Sequence, residues 1–317
     1  MQIVNPFTAI YKKLNSYQNE LDAFEFPICI DVELTNCCNL KCYMCPTGIG
    51  SSIREKGYMS DKTYYKLLRD ISGHQVGLRF IRWGEPTLHP KMCKYIKAAK
   101  KEGHLCHINT NGVTINKLID DILEAGLDSV KFSFQGVNEE SYERIRQGGN
   151  FKNVIANIKD LYNARINNSP YIQVSTTTTS ESEEEIKKFK ESIAPYCDMI
   201  NVGATILQYL DIDRSDMNEK QKELFQKIKS EQRVVYKRPA HCSEVYGKLS
   251  VDWDGKISAC CTDYDRELII GDLADNTISE IFMCNKIDTY RKILSRKAFS
   301  EVAKCSKCFD YILAQPV

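Results

Sequence analysis

The chain has almost no net charge: 43 Lys and Arg residues stand against 42 Asp and Glu, leaving +1 over 317 residues. Proteins that hold nucleic acid mainly through its phosphates need a basic excess, so that class is set aside. No apolar run approaches the length that spans a bilayer. The first 26 residues scatter charges and contain no apolar stretch of the kind found in export signals. Several catalytic signatures are also missing, among them H-E-x-x-H, G-x-S-x-G and the phosphate-binding loop. Gly48-Ile49-Gly50 lacks the third glycine of a dinucleotide fingerprint. The acidic segment 211–216 lacks the glycine that a calcium loop places sixth. No internal repeat or low-complexity segment is present.

What the sequence has is a core and many thiols. Apolar residues make up 43% and aromatics 10%, enough for a sizeable interior and too much for disorder. The length suits two domains, or one large α/β domain with an appendage. Fourteen cysteines are many for a chain without an export signal. Such a chain is expected to be cytoplasmic, with its thiols reduced and available as ligands. They form a dense knot (Cys37, Cys38, Cys42, Cys45) and a spread set near the end (Cys242, Cys260, Cys261, Cys305, Cys308). Cys29, Cys93, Cys106, Cys197 and Cys284 stand alone and read as small buried hydrophobes.

Residues 1–26 read as an irregular helical extension. From Pro27 onward strand and helix patterns alternate, the signature of parallel βα units. Strand-like runs fall at 28–34, 76–83, 104–110, 129–135, 171–179 and 199–204. Helical patterns fall at 61–71, 89–101, 115–125, 139–161 (interrupted at Gly148-Gly149) and 182–193. Ser60 is placed to cap the first of these. Glu183 with Lys187 and Glu184 with Lys188, spaced i,i+4, mark a solvated face. Six units are two short of a closed barrel, so 27–205 is expected to be a partial (β/α)6 TIM-like barrel, an α/β fold open along one side. A polar connector, 206–240, carries a helix near 218–230. Residues 241–317 form a small α+β domain that begins with a hairpin turning at Asp254-Gly255 through a type I′ turn. A helical stretch over 277–295 follows.

The knot lies directly after the first strand, at the C-terminal face where barrels place their chemistry. Cys38, Cys42 and Cys45, spaced C-x3-C-x2-C, can converge on one cuboidal iron–sulfur cluster and leave one iron open to bind and activate a small molecule. Structural zinc favours four ligands in two pairs, which the knot does not offer. Cys37 offers a shifted frame, C-x4-C-x2-C; we assign the position to Cys38.

These residues resemble the radical S-adenosylmethionine (AdoMet) superfamily, whose C-x3-C-x-Φ-C hallmark is matched by Cys38, Cys42, Met44 and Cys45. Trp83-Gly84-Glu85-Pro86 is similar to the family's Gly-Gly-Glu-Pro, with Trp83 in place of the first glycine. Asn109-Thr110-Asn111-Gly112 ends the third strand as in relatives. Ser133-Phe134-Gln135-Gly136 ends the fourth, where Ser-x-Asp-Gly is common. The resemblance covers almost the whole chain. It implies a [4Fe–4S] cluster whose open iron is chelated by AdoMet, and one-electron reduction to methionine and a 5′-deoxyadenosyl radical. It further implies that Gly84 and Glu85 hold the methionyl amine, that the Met44 backbone contacts adenine, and that Asn109, Ser133 and Gln135 contact ribose or carboxylate. A flavodoxin or ferredoxin-type donor would supply the electron.

Cys242, Cys260, Cys305 and Cys308 are similar in order and spacing to the auxiliary-cluster module called SPASM or, when shortened, Twitch. The resemblance implies a second, auxiliary [4Fe–4S] cluster with four protein ligands, suited to electron transfer. A zinc ribbon is the competing reading of these four thiols. Neighbours on a strand point oppositely, so only one of Cys260 and Cys261 can face a cluster, and Cys260 is chosen. His241 reads as a neighbour of the metal site or a surface residue. The size and single auxiliary cluster resemble the aminocyclitol dehydrogenases of the family. That implies oxidation of a small hydroxylated molecule, a carbohydrate or aminocyclitol, with an electron leaving through the auxiliary cluster. Epimerisation of a sugar or peptide, and modification of a peptide or maturation of a sulfatase, are the alternatives within the family. The short segment before the first strand weighs against a leader-recognition domain. An iron–sulfur or zinc module that merely binds a partner is the reading from outside enzymology. No catalytic base is assigned.

Overall fold

A computed structural model describes residues 3–16, 24–207, 209–230, 232–236, 242, 244–308 and 312–316. His241 lies outside the described residues, as does the 17–23 part of the N-terminal extension.

Six parallel strands form the barrel: β1 (Cys29–Val32), β2 (Gly77–Phe80), β3 (Leu105–Thr110), β4 (Ser129–Ser133), β5 (Tyr171–Thr178) and β6 (Met199–Ala204). They neighbour one another in chain order. Each falls inside a run read from the sequence, because alternation along a strand is a local property. One face of every strand is apolar. Ile30, Val32, Leu78, Phe80, Ile108, Val130, Phe132, Ile172 and Val174 belong to one buried core with the surrounding helices. The opposite face lines the interior with Asp31, Arg79, His107, Asn109, Lys131 and Gln173, which alternate with those apolar positions. This polar lumen is why the parallel strands alternate instead of reading as continuous hydrophobic runs.

The helices follow the expected spans with local corrections. α1 is Thr8–Ser16, and α2 is Asp61–Ile71, which buries Tyr64, Leu67, Leu68 and Ile71. Ser60 caps α2, its side chain accepting from Thr63 N at 3.1 Å. α3 begins at Met92 (Met92–Lys101) because Pro86–Leu88 first forms a short 3₁₀ turn. The 139–161 pattern divides into α4 (Glu139–Ile145) and α5 (Phe151–Ala164), with Arg146–Gln147 between them as a two-residue strand. Ser182 closes a capping box on the helix Glu183–Ile193. There Lys188 pairs with Glu184 at 2.7 Å, while Lys187 lies 3.9 Å from Glu191. No described helix is long and apolar enough to cross a membrane.

α1 lies against the N-terminal end of the barrel. Phe7 is fully buried and meets the His107 ring edge-on at 5.6 Å. A Cβ on Gly77 would sit 2.5 Å from Ile10 and 2.8 Å from Phe7, so glycine is what lets this helix approach β2.

The C-terminal hairpin is joined to the barrel. β7 (Lys248–Val251) pairs in parallel with β1, and β8 (Lys256–Ser258) and β9 (Ile269–Asp272) follow antiparallel. Among the described residues, nine strands form one sheet in the order β9-β8-β7-β1-β2-β3-β4-β5-β6. The turn is not type I′, which needs positive φ at two residues. Only Gly255 has it, at +96°. The loop holds three residues, Trp253-Asp254-Gly255, with Gly255 N donating to Asp252 O at 3.0 Å and Asp252 N to Lys256 O at 2.8 Å. A type I turn followed by a glycine with positive φ closes a three-residue hairpin this way.

Candidate functional site

The loop after β1 is braced from two sides before its cysteines begin. Thr35 Oγ1 donates to Gly57 O at 2.6 Å and Asn36 Nδ2 to Glu55 O at 2.7 Å. Across the loop, Glu85 N donates to Cys37 O at 2.8 Å. That approach requires Gly84, since a Cβ there would lie 2.0 Å from Thr35 O. Lys41–Cys42 then pairs antiparallel with Arg146–Gln147. The chain turns back so tightly that a Cβ on Gly48 would sit 2.4 Å from Cys42 O. Cys42 is buried, and Cys38 and Cys45 are half-buried.

Cys38, Cys42 and Cys45 lie within electrostatic reach of one another, and Cys38 and Cys42 also of Glu85. Burial, with those neighbouring charges, pushes the Cys38 thiol up to about 12. Cys42 rises to about 11, again chiefly by burial, and Cys45 moves the same way. Cys37 lies instead beside Tyr58, whereas Cys38 feels Cys42, Cys45 and Glu85. Three thiolates and a carboxylate in one water-poor pocket need a cation to stay ionised, and an iron–sulfur core supplies it. N–H groups already aim at the sulfurs. Leu40 N lies 3.5 Å and Asn111 Nδ2 3.8 Å from Cys38 Sγ, and the Thr47 and Gly48 amides donate to Cys45. Such donors stabilise a thiolate that is also bound to iron, so the residues present fit the cluster.

Glu85 is 2% exposed. Its Oε1 accepts from Thr87 N (3.1 Å), Thr87 Oγ1 (2.6 Å) and Thr110 Oγ1 (2.7 Å), and Oε2 from Asn111 N (2.7 Å). Burial nevertheless raises its pKa, against the pull of these donors. Oε2, with a single donor, keeps a lone pair for an amine. Trp83 does not need the glycine conformation; the positive φ sits one residue earlier, at Arg82 (+135°). The Arg82 guanidinium holds that strained backbone by donating to Asp252 Oδ1 (2.7 Å), Asp263 O (3.0 Å) and Cys260 O (3.1 Å).

The other expected contacts are spread over this rim. Met44 is half-buried, its carbonyl accepting from Tyr209 Oη at 2.5 Å. Ser133 ends β4 on the lumen side. Asn109 also faces the lumen, where its Oδ1 engages His107 Nε2 at 2.7 Å. Gln135 accepts from Arg146 Nε. Sequence reasoning missed Arg146. Its buried guanidinium favours the thiolates of Cys42 and Cys45, and the neutral Gln135 beside it does not cancel that charge as a carboxylate would. The signal was the Gly148-Gly149 interruption, which frees Arg146 from the helix to pair with the cysteine loop.

In the second set, Cys260 lies within electrostatic reach of Cys242 and Glu244 and is hydrogen-bonded to Cys261. The strand β8 ends at Ser258, so Cys260 and Cys261 are not strand neighbours; against the expectation that they point oppositely, both bring their sulfurs within 4.8 Å of each other and of Glu244. Cys305 acts on Tyr290, and Cys308 lines a cavity of about 380 Å³ with Thr262, Tyr264 and Lys304. Cys242, Cys260, Cys305 and Cys308 are not drawn together to the spacing a single ion requires. Cys261 lies within electrostatic reach of Lys131, Lys248 and Arg82, and its hydrogen bond with Cys260, then burial and Glu244, raise its own pKa. Of the solitary cysteines, Cys29 and Cys106 are fully buried. Cys93, Cys197 and Cys284 pack against the core.

Comparison with known proteins agrees with this geometry. The family model described as the radical SAM superfamily matches residues 32–193, and an iron–sulfur cluster-binding domain, SPASM, matches residues 242–309. The mycofactocin maturase MftC of Mycobacterium ulcerans is 29% identical over 155 residues, 49% of this chain and 41% of the relative. A probable GTP 3',8-cyclase of Methanocaldococcus jannaschii is 30% identical over 129 residues, 40% of this chain and 43% of the relative. The chain thus spans less than half the length of these curated relatives. Among solved structures, BtrN in complex with AdoMet and 2-DOIA aligns with a TM-score of 0.59 and 17% identity, covering 92% of this chain and 100% of that one. SuiB of Streptococcus suis bound to S-adenosylmethionine aligns with a TM-score of 0.65 and 14% identity, covering 95% of this chain and 74% of that one. At these identities the likeness is one of fold.

Proposed function

The chain belongs to the radical SAM superfamily and carries a SPASM domain after the barrel, and from that premise we propose that it oxidises a small hydroxylated molecule and passes an electron to an auxiliary cluster. Radical SAM proteins use a [4Fe–4S] cluster with AdoMet, which supplies a 5′-deoxyadenosyl radical able to take hydrogen from an unactivated carbon, and SPASM domains bind auxiliary iron–sulfur clusters.

In this reading Cys38, Cys42 and Cys45 hold the first cluster. Glu85, kept in place by Thr87, Thr110 and Asn111, orients the methionyl amine; Gly84 lets its strand end close on the cysteine loop. The Met44 backbone contacts adenine, and Asn109, Ser133 and Gln135 contact ribose or carboxylate. Cys242, Cys260, Cys305 and Cys308 hold the auxiliary cluster. The barrel is taken as 27–205, the connector as 206–240 and the auxiliary domain as 241–317. A flavodoxin or ferredoxin-type protein is the electron donor.

The observation that carries the oxidation is that both cysteine sets border one polar lumen. The first set lies on the loop that follows β1, and Cys261, next to Cys260, is within electrostatic reach of Lys131 and Lys248 inside it. A substrate held between them lies beside a route for an electron to leave. Anaerobically reconstituted protein, given AdoMet, reductant and a panel of polyols and sugars, is expected to form ketone in step with 5′-deoxyadenosine. Solvent deuterium entering a product carbon without net oxidation would replace the reading with epimerisation. Cys305→Ala is expected to keep most AdoMet cleavage while ketone falls about tenfold or more, as for loss of a cluster ligand; equal loss of both would make the second cluster only structural. Arg146→Met is expected to lower AdoMet cleavage about 10–100-fold, the range for removing a partner of a metal ligand, with Arg146→Lys recovering part. Unchanged rates in Arg146→Met would show that the guanidinium is idle.

A further inference from the structure

The charged side chains carried by strands β1 to β7 cancel in pairs, with one exception. Arg79 makes two hydrogen bonds to Asp31, at 2.5 and 2.7 Å. Lys248 pairs with Glu244. At the rim, Arg54, Arg82 and Arg266 share Glu33, Asp252 and Asp254. His107 is held neutral, its pKa pulled down to about 3 by burial and then by Lys131. Lys131 is left over: among the described residues it has neither a hydrogen bond nor an ion pair.

Register fixes where Lys131 stands. It lies opposite Asn109 on β3 and Gln173 on β5, at mid-strand and one lumen-facing step below Ser133 at the rim. Val130 and Phe132 on either side of it point into the helix-side core, so its own side chain enters the lumen, where Arg79, Asp31 and Cys261 act on it. Asn109 is engaged by His107. The Gln173 amide, beside Lys131, has no partner among the described residues. A cation and an amide donor thus meet on the lumen face, where the neighbouring carboxylates Asp31 and Glu244 are already occupied. Leaving an ammonium there uncompensated is costly, and an incoming anion removes the cost.

We infer that the substrate carries an anionic group, a carboxylate or a phosphate, and that Lys131 holds it. The inference depends on the proposed function only in taking the lumen as the place where substrate binds. It narrows the substrate class, since an aminocyclitol would set like charge against Lys131, whereas an acidic sugar or hydroxy acid would pair with it. Burial and the Arg79 charge both lower the pKa of Lys131, as expected of an ammonium awaiting a counter-ion.

The test needs no turnover. Reconstituted, AdoMet-loaded enzyme is treated with acetic anhydride, and acetylation of Lys131 is followed by mass spectrometry in the presence of glycolate, inorganic phosphate, ethylene glycol or ethanolamine. Glycolate or phosphate is expected to slow labelling about tenfold, the scale of one hydrogen bond to a charged group, and the neutral and cationic probes to leave it unchanged. Which of the two anions protects better separates carboxylate from phosphate. In titration calorimetry Lys131→Gln is expected to bind the protecting anion about tenfold more weakly, with Lys131→Arg retaining it. Four results overturn the inference: no protection by either anion, equal protection by ethanolamine, a Lys131 that AdoMet alone already shields, or a Lys131 that never reacts. Failure of the oxidoreductase reading shows separately, as wild-type enzyme that forms no ketone whichever probe protects Lys131.

Discussion

Cys42→Ala is expected to bring 5′-deoxyadenosine formation to background, a loss well beyond the 10–100-fold that follows removal of a metal ligand's outer partners. Iron per chain after reconstitution should fall from about eight atoms to about four, as two cuboidal clusters reduce to one. Cys42 is the most constrained of the three thiols. It is buried, its backbone is paired with Arg146, and Gly48 packs directly onto it. Cys38→Ala and Cys45→Ala should behave alike, because both sulfurs lie within electrostatic reach of Cys42. Cys37→Ala is the control that distinguishes the two possible frames. Its thiol lies beside Tyr58 and its carbonyl, unaffected by the substitution, still accepts from Glu85 N. Retained cleavage in Cys37→Ala with none in Cys38→Ala is the expected pair of results; the reverse would move the cluster to the C-x4-C-x2-C frame.

What the sequence reveals about this protein is what local patterns encode. The alternation in 171–179 marks β5, the Ser60 cap marks the start of α2, and the C-x3-C-x2-C spacing marks the cluster loop. Long-range placement is not legible in this way. That β7 pairs with β1 depends on two segments more than 200 residues apart finding a parallel register, for which neither carries a signal. The hairpin at Asp254-Gly255 is recognisable, but its loop length depends on where pairing stops, so a three-residue loop replaces the expected two-residue turn. The positive φ next to the Trp83-Gly84-Glu85 turn falls on Arg82, whose guanidinium is anchored by Asp252, Asp263 and Cys260 in a distant part of the chain. Arg146 was hidden for a related reason. Its meaning comes from Cys42 and Gln135, which lie on two other segments.

The second large effect is expected from Asp252→Asn, which should destabilise the folded chain by about 3–5 kcal/mol, the range for breaking a buried ion pair by removing one partner. Asp252 is fully buried and receives three guanidiniums: Arg82 at 2.7 Å, Arg266 at 2.8 Å and Arg54 at 3.2 Å. Arg54 and Arg82 come from the barrel side and Arg266 from the C-terminal segment, so one carboxylate ties the two together. Burial works against the Arg82 charge, and Asp252 and then Glu33 more than offset it. Arg54 and Arg82 each also bury an Nε–H without a partner, so the cluster has no spare acceptor to take up a lost one. The substituted amide would keep the shape and one acceptor oxygen but leave an excess positive charge out of water. At about 2–4 °C per kcal/mol for a chain of this order, the midpoint of thermal unfolding should drop by roughly 10 °C. Asp254→Asn gives the contrast: that carboxylate is 26% exposed and contacts Arg266 alone in this cluster, so its loss should cost no more than about 1 kcal/mol. The stability loss should carry a functional signature, because Arg82 immediately precedes Trp83-Gly84-Glu85. Freed from Asp252, its positive-φ backbone can relax and shift Glu85, raising the KM for AdoMet at temperatures where the variant is still folded. An Asp252→Asn protein that melts with wild type and keeps its KM would mean that this carboxylate anchors neither the hairpin nor the Glu85 rim.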